Sequence, residues 1–135
     1  MLEVDKVNSF YGKAHVLNDL SLEVGKSSVV SLLGRNGAGK STTMKSIMQM
    51  VAPKSGNVRF LGQDITGFAP HKVAKLGIGY VPEDRRIFTD LTVMENLEVG
   101  RQPPRDGTVT WNHDMLFQLF PNLKERRGNR GREMS

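Results

Sequence analysis

Hydrophobic and polar positions alternate in some stretches of the chain and cluster in others. Leu2, Val4 and Val7, ahead of Tyr11-Gly12, predict a strand near the N-terminus. Leu20-Ser21-Leu22-Glu23-Val24 alternates strictly and predicts a half-buried second strand. Val29-Val30-Ser31-Leu32-Leu33 is nearly continuous and β-branched at its start, which predicts a strand covered on both faces. Next comes a glycine-rich stretch. After it, Met44, Ile47, Met48 and Val51 fall at i, i+3, i+4 and i+7, the stripe of one helix face. Pro53 and Ser55-Gly56 end that helix.

Val58-Arg59-Phe60 predicts another strand, and Pro70 opens a short helix running to Leu76. Ile78-Gly79-Tyr80-Val81 predicts a further strand, stopped by Pro82. From about Phe88 the pattern turns helical. Thr92 and Glu95 have the spacing of a capping box. Trp111, Met115 and Leu119 recur every four residues, and residues 102–107 (Gln-Pro-Pro-Arg-Asp-Gly) read as a loop. There is no internal repeat. This order implies an α/β core, over residues 1–87, followed by a helical piece over 88–135.

Composition narrows the classes. The chain has 135 residues, room for one ordinary domain, and 38% hydrophobic and 24% charged residues fit a globular chain. The absence of cysteine excludes disulfides, thiolate zinc sites and cysteine nucleophiles. No uncharged apolar run approaches the about 20 residues that a membrane helix needs. The first residues show no basic-then-apolar signal segment. The net charge is +5, a mild excess that a solvated surface accounts for.

The chemistry lies in Gly34-Arg35-Asn36-Gly37-Ala38-Gly39-Lys40-Ser41-Thr42, which matches G-x-x-x-x-G-K-[ST]. Glycines let successive backbone N–H groups turn inward, with no side chain in the way of phosphates. The helix that follows points its positive end at the same place. Lys40 supplies a charge toward the β- and γ-phosphates, and the Ser41 hydroxyl is a Mg²⁺ ligand. A buried-strand pattern before the loop and an amphipathic helix after it are the context this motif requires. The site expected is therefore one for a nucleoside triphosphate.

Two features test the class. Asp64-Ile65-Thr66-Gly67 matches D-x-x-G, but no N-K-x-D base reader occurs, so this segment reads as a turn rather than part of a GTPase. ATPases of this fold also use a strand of four apolar residues ending in Asp. The chain has none: Arg59 and Gln63 interrupt one candidate and Pro82 another. It is expected to carry half of a catalytic site and to turn over negligible ATP by itself.

Together these residues resemble the ATP-binding subunit of ABC transporters, most closely the branched-chain amino acid importer type. Phe10-Tyr11-Gly12-Lys13-Ala14-His15-Val16-Leu17 resembles the family's opening strand. The segment from Leu33 to Thr42 resembles its Walker A loop, residues 77–88 its Q-loop region and residues 91–97 its entry to the helical subdomain. Phe117-Gln118-Leu119-Phe120-Pro121 and residues 123–126 continue the likeness. The resemblance implies a P-loop NTPase core with N-terminal antiparallel strands and part of a helical subdomain.

The resemblance also implies ATP and Mg²⁺ as cofactors, with Tyr11 stacking on adenine and residues 34–42 holding the phosphates. Glu83 stands where most of the family has glutamine, and would reach the metal or the attacking water. The implied partners are transmembrane permease subunits, a second ATP-binding subunit and, indirectly, a periplasmic binding protein, with no nucleic acid. The implied location is cytoplasmic, peripheral on the inner face of the plasma membrane. Where the family has Gly-Glu before its buried strand, this chain has Ser27-Ser28, so the turn is expected to differ there. The family's signature begins at Met134-Ser135.

Two other readings stay open from the sequence: a non-catalytic nucleotide-binding fragment, and a P-loop ATPase acting on nucleic acid. The five basic residues between Lys124 and Arg132 fit a solvated approach to the signature better than a nucleic-acid patch, since no aromatic residue interleaves with them. His15, His71 and His113 lack ligand spacing, and Met44, Met48 and Met50 read as helix-face packing.

Overall fold

The computed structural model describes residues 1–84, 86–104, 107 and 109–134. Arg85 of the Q-loop-like stretch, Arg105 and Asp106 of the 102–107 loop, and Ser135 of the signature start lie outside the described residues. The chain divides into two compact units, Met1–Val81 and Pro82–Ser135.

In the first unit, β1 (Leu2–Tyr11) and β2 (Ala14–Val24) form an antiparallel hairpin. Gly12, at φ 57°, supplies the left-handed residue its tight turn needs. β3 (Ser55–Phe60) pairs antiparallel with the other edge of β1, and the short β4 (Gln63–Asp64) completes a sheet of order β2-β1-β3-β4. Val4, Val7 and Ser9 all turn inward, because a register shift between Val4 and Val7, with Lys6 at φ 45°, resets the alternation of β1. Val4, Val7, Leu17, Ile47, Met48, Val58, Ile65 and Val73 form the core. The helices of this unit are α1 (Lys40–Ile47) and α2 (Pro70–Leu76), the latter opened by Pro70 and closed by left-handed Gly77.

Three expectations need correction. Residues 29–33 and 78–81 form no strand and enter no ladder among the described residues. Val29 is 96% exposed, Leu33 88% and Val81 91%. A strand apolar on both faces forms only where neighbours flank it and layers cover it. The four strands present pair antiparallel with one another and supply neither. Ile78 and Tyr80 still pack against the core.

The helix stripe is also rotated. Ile47 and Met48 are buried as expected, but Met44 and Met50 are exposed, and the buried face is completed by Thr42, Thr43, Ser46 and Gln49. The turn before residue 29 keeps its glycine-like backbone without a glycine: Ser27 stands at φ 55°, and the Ser28 hydroxyl donates to the Gly25 carbonyl oxygen.

The second unit contains α3 (Val93–Val99), α4 (His113–Leu119), α5 (Pro121–Glu125) and a 3-10 turn at Gly131–Glu133. The Thr92–Glu95 capping box forms as its spacing predicts. Thr92 N–H donates to the Glu95 carboxylate at 2.7 Å, and Glu95 N–H donates to the Thr92 hydroxyl at 3.2 Å. These bonds hold the Glu95 carboxyl below its ordinary pKa. The Asn96 side chain accepts from Phe88 N–H and donates to the Phe88, Leu91 and Thr92 carbonyls, which fixes the loop before α3. Phe117 is the buried residue of α4. Trp111 precedes that helix and is exposed, so the four-residue spacing from Trp111 does not lie on one helix.

Candidate nucleotide-binding site

The loop 34–39 joins the segment 29–33 to α1, and its geometry follows from its glycines. Gly37 (φ 83°) and Gly39 (φ 91°) are both left-handed, a region that side chains avoid. Ala38 N–H donates back to the Arg35 carbonyl and closes a turn. Gly39 is the N-cap of α1, and its carbonyl accepts from both Thr43 N–H and the Thr43 hydroxyl. The Lys40 ammonium folds back over the loop, donating to the carbonyl oxygens of Gly34 at 2.7 Å and Arg35 at 2.8 Å. The cation is thereby held against the loop, and the first turn of α1 contains no acidic residue to oppose an anion there.

Space is tight for a side chain at two of the loop's glycines. A Cβ on Gly34 would stand 3.2 Å from Ala38 Cβ, and one on Gly39 only 2.8 Å from Leu17 Cδ2. The second approach brings β2 against the loop, for Val16 O is 3.4 Å from the same point. Val16 lies two residues past Ala14, the ladder partner of Tyr11. Tyr11 sits at the tip of the same hairpin, whose Val16 and Leu17 are the residues that approach the loop. It follows Val7 and Ser9 at two-residue spacing and is half exposed. Phe10, on the alternate face, stacks on His15 at 4.1 Å with Lys54 Nζ 4.9 Å from its ring.

The structure brings together Tyr11's hairpin, the residues 34–39 and the start of α1. Gly34, Arg35, Asn36, Gly37 and Ala38 are exposed, Lys40 and Ser41 are half-buried and Thr42 is buried. Glu83 belongs to the second unit, where it is exposed. These residues fit a phosphate ligand: an exposed loop with two left-handed glycines, a lysine ammonium bonded to the loop's first two carbonyls and a hydroxyl-bearing helix start. Among the described residues no group of three or more acidic, histidine or cysteine side chains is arranged to hold a metal ion. Asp64-Ile65-Thr66-Gly67 is a hydrogen-bonded turn, Thr66 N–H donating to Asp64 Oδ1 at 2.8 Å and Asn57 Nδ2 to Oδ2. The Thr66 bonds hold the Asp64 carboxyl below its ordinary range.

A cleft of about 550 Å³ in the second unit, lined by Leu97, Arg101, Pro103, Trp111, His113 and Leu116 among others, contains none of the residues in the loop motif. Sequence reasoning missed Leu17, Thr43 and Gln49. Gln49 gave no signal, because it falls between Met48 and Val51, inside the stretch whose periodicity predicts continuous helix.

The ABC transporter family model matches residues 17–135. The chain is 40% identical to the high-affinity branched-chain amino acid transport ATP-binding protein BraG of Pseudomonas aeruginosa, over the whole chain and 58% of that protein. It is 37% identical to the probable branched-chain amino acid transport ATP-binding protein LivF of Archaeoglobus fulgidus, over 92% of the chain and 52% of that protein. The chain thus spans little more than half the length of these relatives. A solved ATP-binding subunit of an ABC transporter superposes with a TM-score of 0.78 at 27% identity, covering all of this chain and 56% of that one. With its phosphate-loop motif folded as above and the family model matching nearly nine-tenths of its residues, the chain belongs to the ABC transporter family of ATP-binding proteins.

Proposed function

We propose that the chain is the nucleotide-binding part of an ATPase subunit that couples ATP binding and hydrolysis to import of branched-chain amino acids through a membrane permease. The observation that carries this reading is the Lys40 ammonium fixed over the glycine loop at the start of α1. The identities to BraG and LivF support the solute class.

In this reading Lys40 and the loop N–H groups bind the β- and γ-phosphates, and Ser41 and Thr42 lie at the helix start that faces them. Ser41 holds Mg²⁺, which when bound neutralises phosphate charge. Tyr11 stacks on adenine through its π-face. Glu83 approaches the metal or the water. Preorganised charge and backbone dipoles supply most of the rate enhancement. The partners are transmembrane permease subunits, a second ATP-binding subunit and, indirectly, a periplasmic binding protein. The site of action is the cytoplasmic face of the membrane. No helix among the described residues is long and apolar enough to cross it.

The test is thermal stabilisation by MgATP, which follows RT ln(1 + [L]/Kd). Millimolar MgATP is expected to raise the melting temperature of the chain but not that of Lys40→Ala. A melting point indifferent to MgATP in both overturns the nucleotide reading. Uptake of labelled leucine, undiminished in source cells carrying Lys40→Ala, overturns the solute assignment.

A further inference from the structure

The far end of α1 closes in a backbone motif that ordinarily uses glycine. Met50 N–H donates to the Lys45 carbonyl at 2.8 Å and Gln49 N–H to that of Ser46 at 3.0 Å. This is the paired closure of a helix whose next residue turns left-handed. That residue is Gln49, at φ 58°. A side chain in this region crowds the adjacent carbonyl, so glycine or asparagine is the usual occupant. Any other residue persists there when its surroundings over-determine it.

The Gln49 side chain supplies that determination. Gln49 is only 6% exposed. Its Nε2 donates to the Ser46 carbonyl at 2.9 Å, a bond still within the helix end. Its Oε1 accepts from Gly67 N–H at 2.8 Å, eighteen residues away. The turn 64–67 is itself fastened to β3, because Val58 N–H donates to the Thr66 hydroxyl at 2.8 Å. Near the same end of the helix, the Ser46 and Ser9 hydroxyls meet at 2.8 Å, both buried. Thr43, Ser46 and Gln49 thus form a polar seam at three-residue spacing. Its bonds are directional where apolar packing is not.

We infer that Gln49 is a positioning residue for the phosphate loop. Its side chain latches the end of α1 to the turn 64–67 and so fixes the direction in which the helix presents Lys40 and Ser41. This rests on the nucleotide reading above. The eight residues of α1 span about 12 Å, so a tilt of about 10° at the latch displaces the loop end by about 2 Å. Re-seating a tilted helix before phosphates bind lowers the apparent affinity by the fraction of correctly seated molecules.

The test uses two variants of the 135-residue chain. Gln49→Gly relieves the backbone and keeps the cap but removes the latch. Gln49→Met keeps the volume and removes both side-chain bonds. Expected is MgATP binding weakened about fivefold or more in both, measured well below every melting temperature. Amide exchange at Gly67 and at residues 37–40 should quicken in both variants without nucleotide. A purely stabilising role would lower melting temperature and leave affinity unchanged. Binding by Gln49→Gly within about twofold of the parent overturns the inference; if that variant does not fold, Gln49→Met decides. If the parent chain binds no MgATP, the nucleotide reading has failed, and unchanged exchange at residues 37–40 then overturns the latch as well.

Discussion

Leu17 lies directly beneath Gly39: its Cδ2 is 2.8 Å from where a Cβ on the glycine would stand. The glycine that ends the phosphate loop is therefore also where the β1–β2 hairpin touches it. Leu17 is 4% exposed and belongs to the core, so it has little room to withdraw. One contact thus couples the loop to the strand pair that ends in Tyr11.

Gly39→Ala meets two separate penalties. The left-handed backbone at φ 91° costs about 1–2 kcal/mol with any Cβ, and the Leu17 contact adds about 1 kcal/mol of overpacking. The expected destabilisation is about 2–3 kcal/mol by urea denaturation. In a Leu17→Ala background the same substitution should cost about 1 kcal/mol less, because only the backbone penalty survives. Equal costs in the two backgrounds would show that the contact yields freely.

Local chemistry made much of this fold legible. The apolar positions ahead of Tyr11-Gly12 marked the first strand, and the alternation at Leu20–Val24 marked the end of the second. Pro70 specified the start of α2, and Thr92 with Glu95 the start of α3. The phosphate loop was readable because its glycines and Lys40 act within nine residues. What escaped depended on distant partners. The pattern at residues 29–33 demands neighbours on both edges, a condition no local rule can check. The buried face of α1 is held through hydroxyl and amide groups of Thr43, Ser46 and Gln49, which a search for apolar periodicity passes over. Met44 satisfied that search and yet faces outward.

Asp64 gives the turn 64–67 a pH dependence of definite sign. Hydrogen bonds from Thr66 and Asn57 favour its charged form, so its folded pKa lies below the ordinary 3.8. Its stabilisation is complete above the unfolded pKa and is lost as pH falls from about 4 through the folded value. The side chain is exposed, so solvent screening keeps the effect well under about 1 kcal/mol. Asp64→Asn retains an acceptor for Thr66 N–H but does not titrate. Its urea midpoint should fall less than that of the parent between pH 6 and pH 3. Parallel acid limbs would mean that the carboxylate does not contribute.

The exposed segment 29–33 provides the sharpest contrast between pattern and structure. By pattern Leu33 is a core residue; in the fold it is 88% exposed, while Val58 is fully buried. Leu33→Thr removes no packing and should change stability by less than about 0.5 kcal/mol. Val58→Ala leaves a void in the core and should cost about 2 kcal/mol. The apolar surface that Val29, Leu33 and Val81 present should also bind ANS in the native chain. Leu33→Thr and Val29→Thr together should weaken that fluorescence without shifting the urea midpoint. A loss of about 2 kcal/mol in Leu33→Thr, with no ANS signal in the parent, would mean that the segment is covered in solution, as a strand with neighbours on both sides would be.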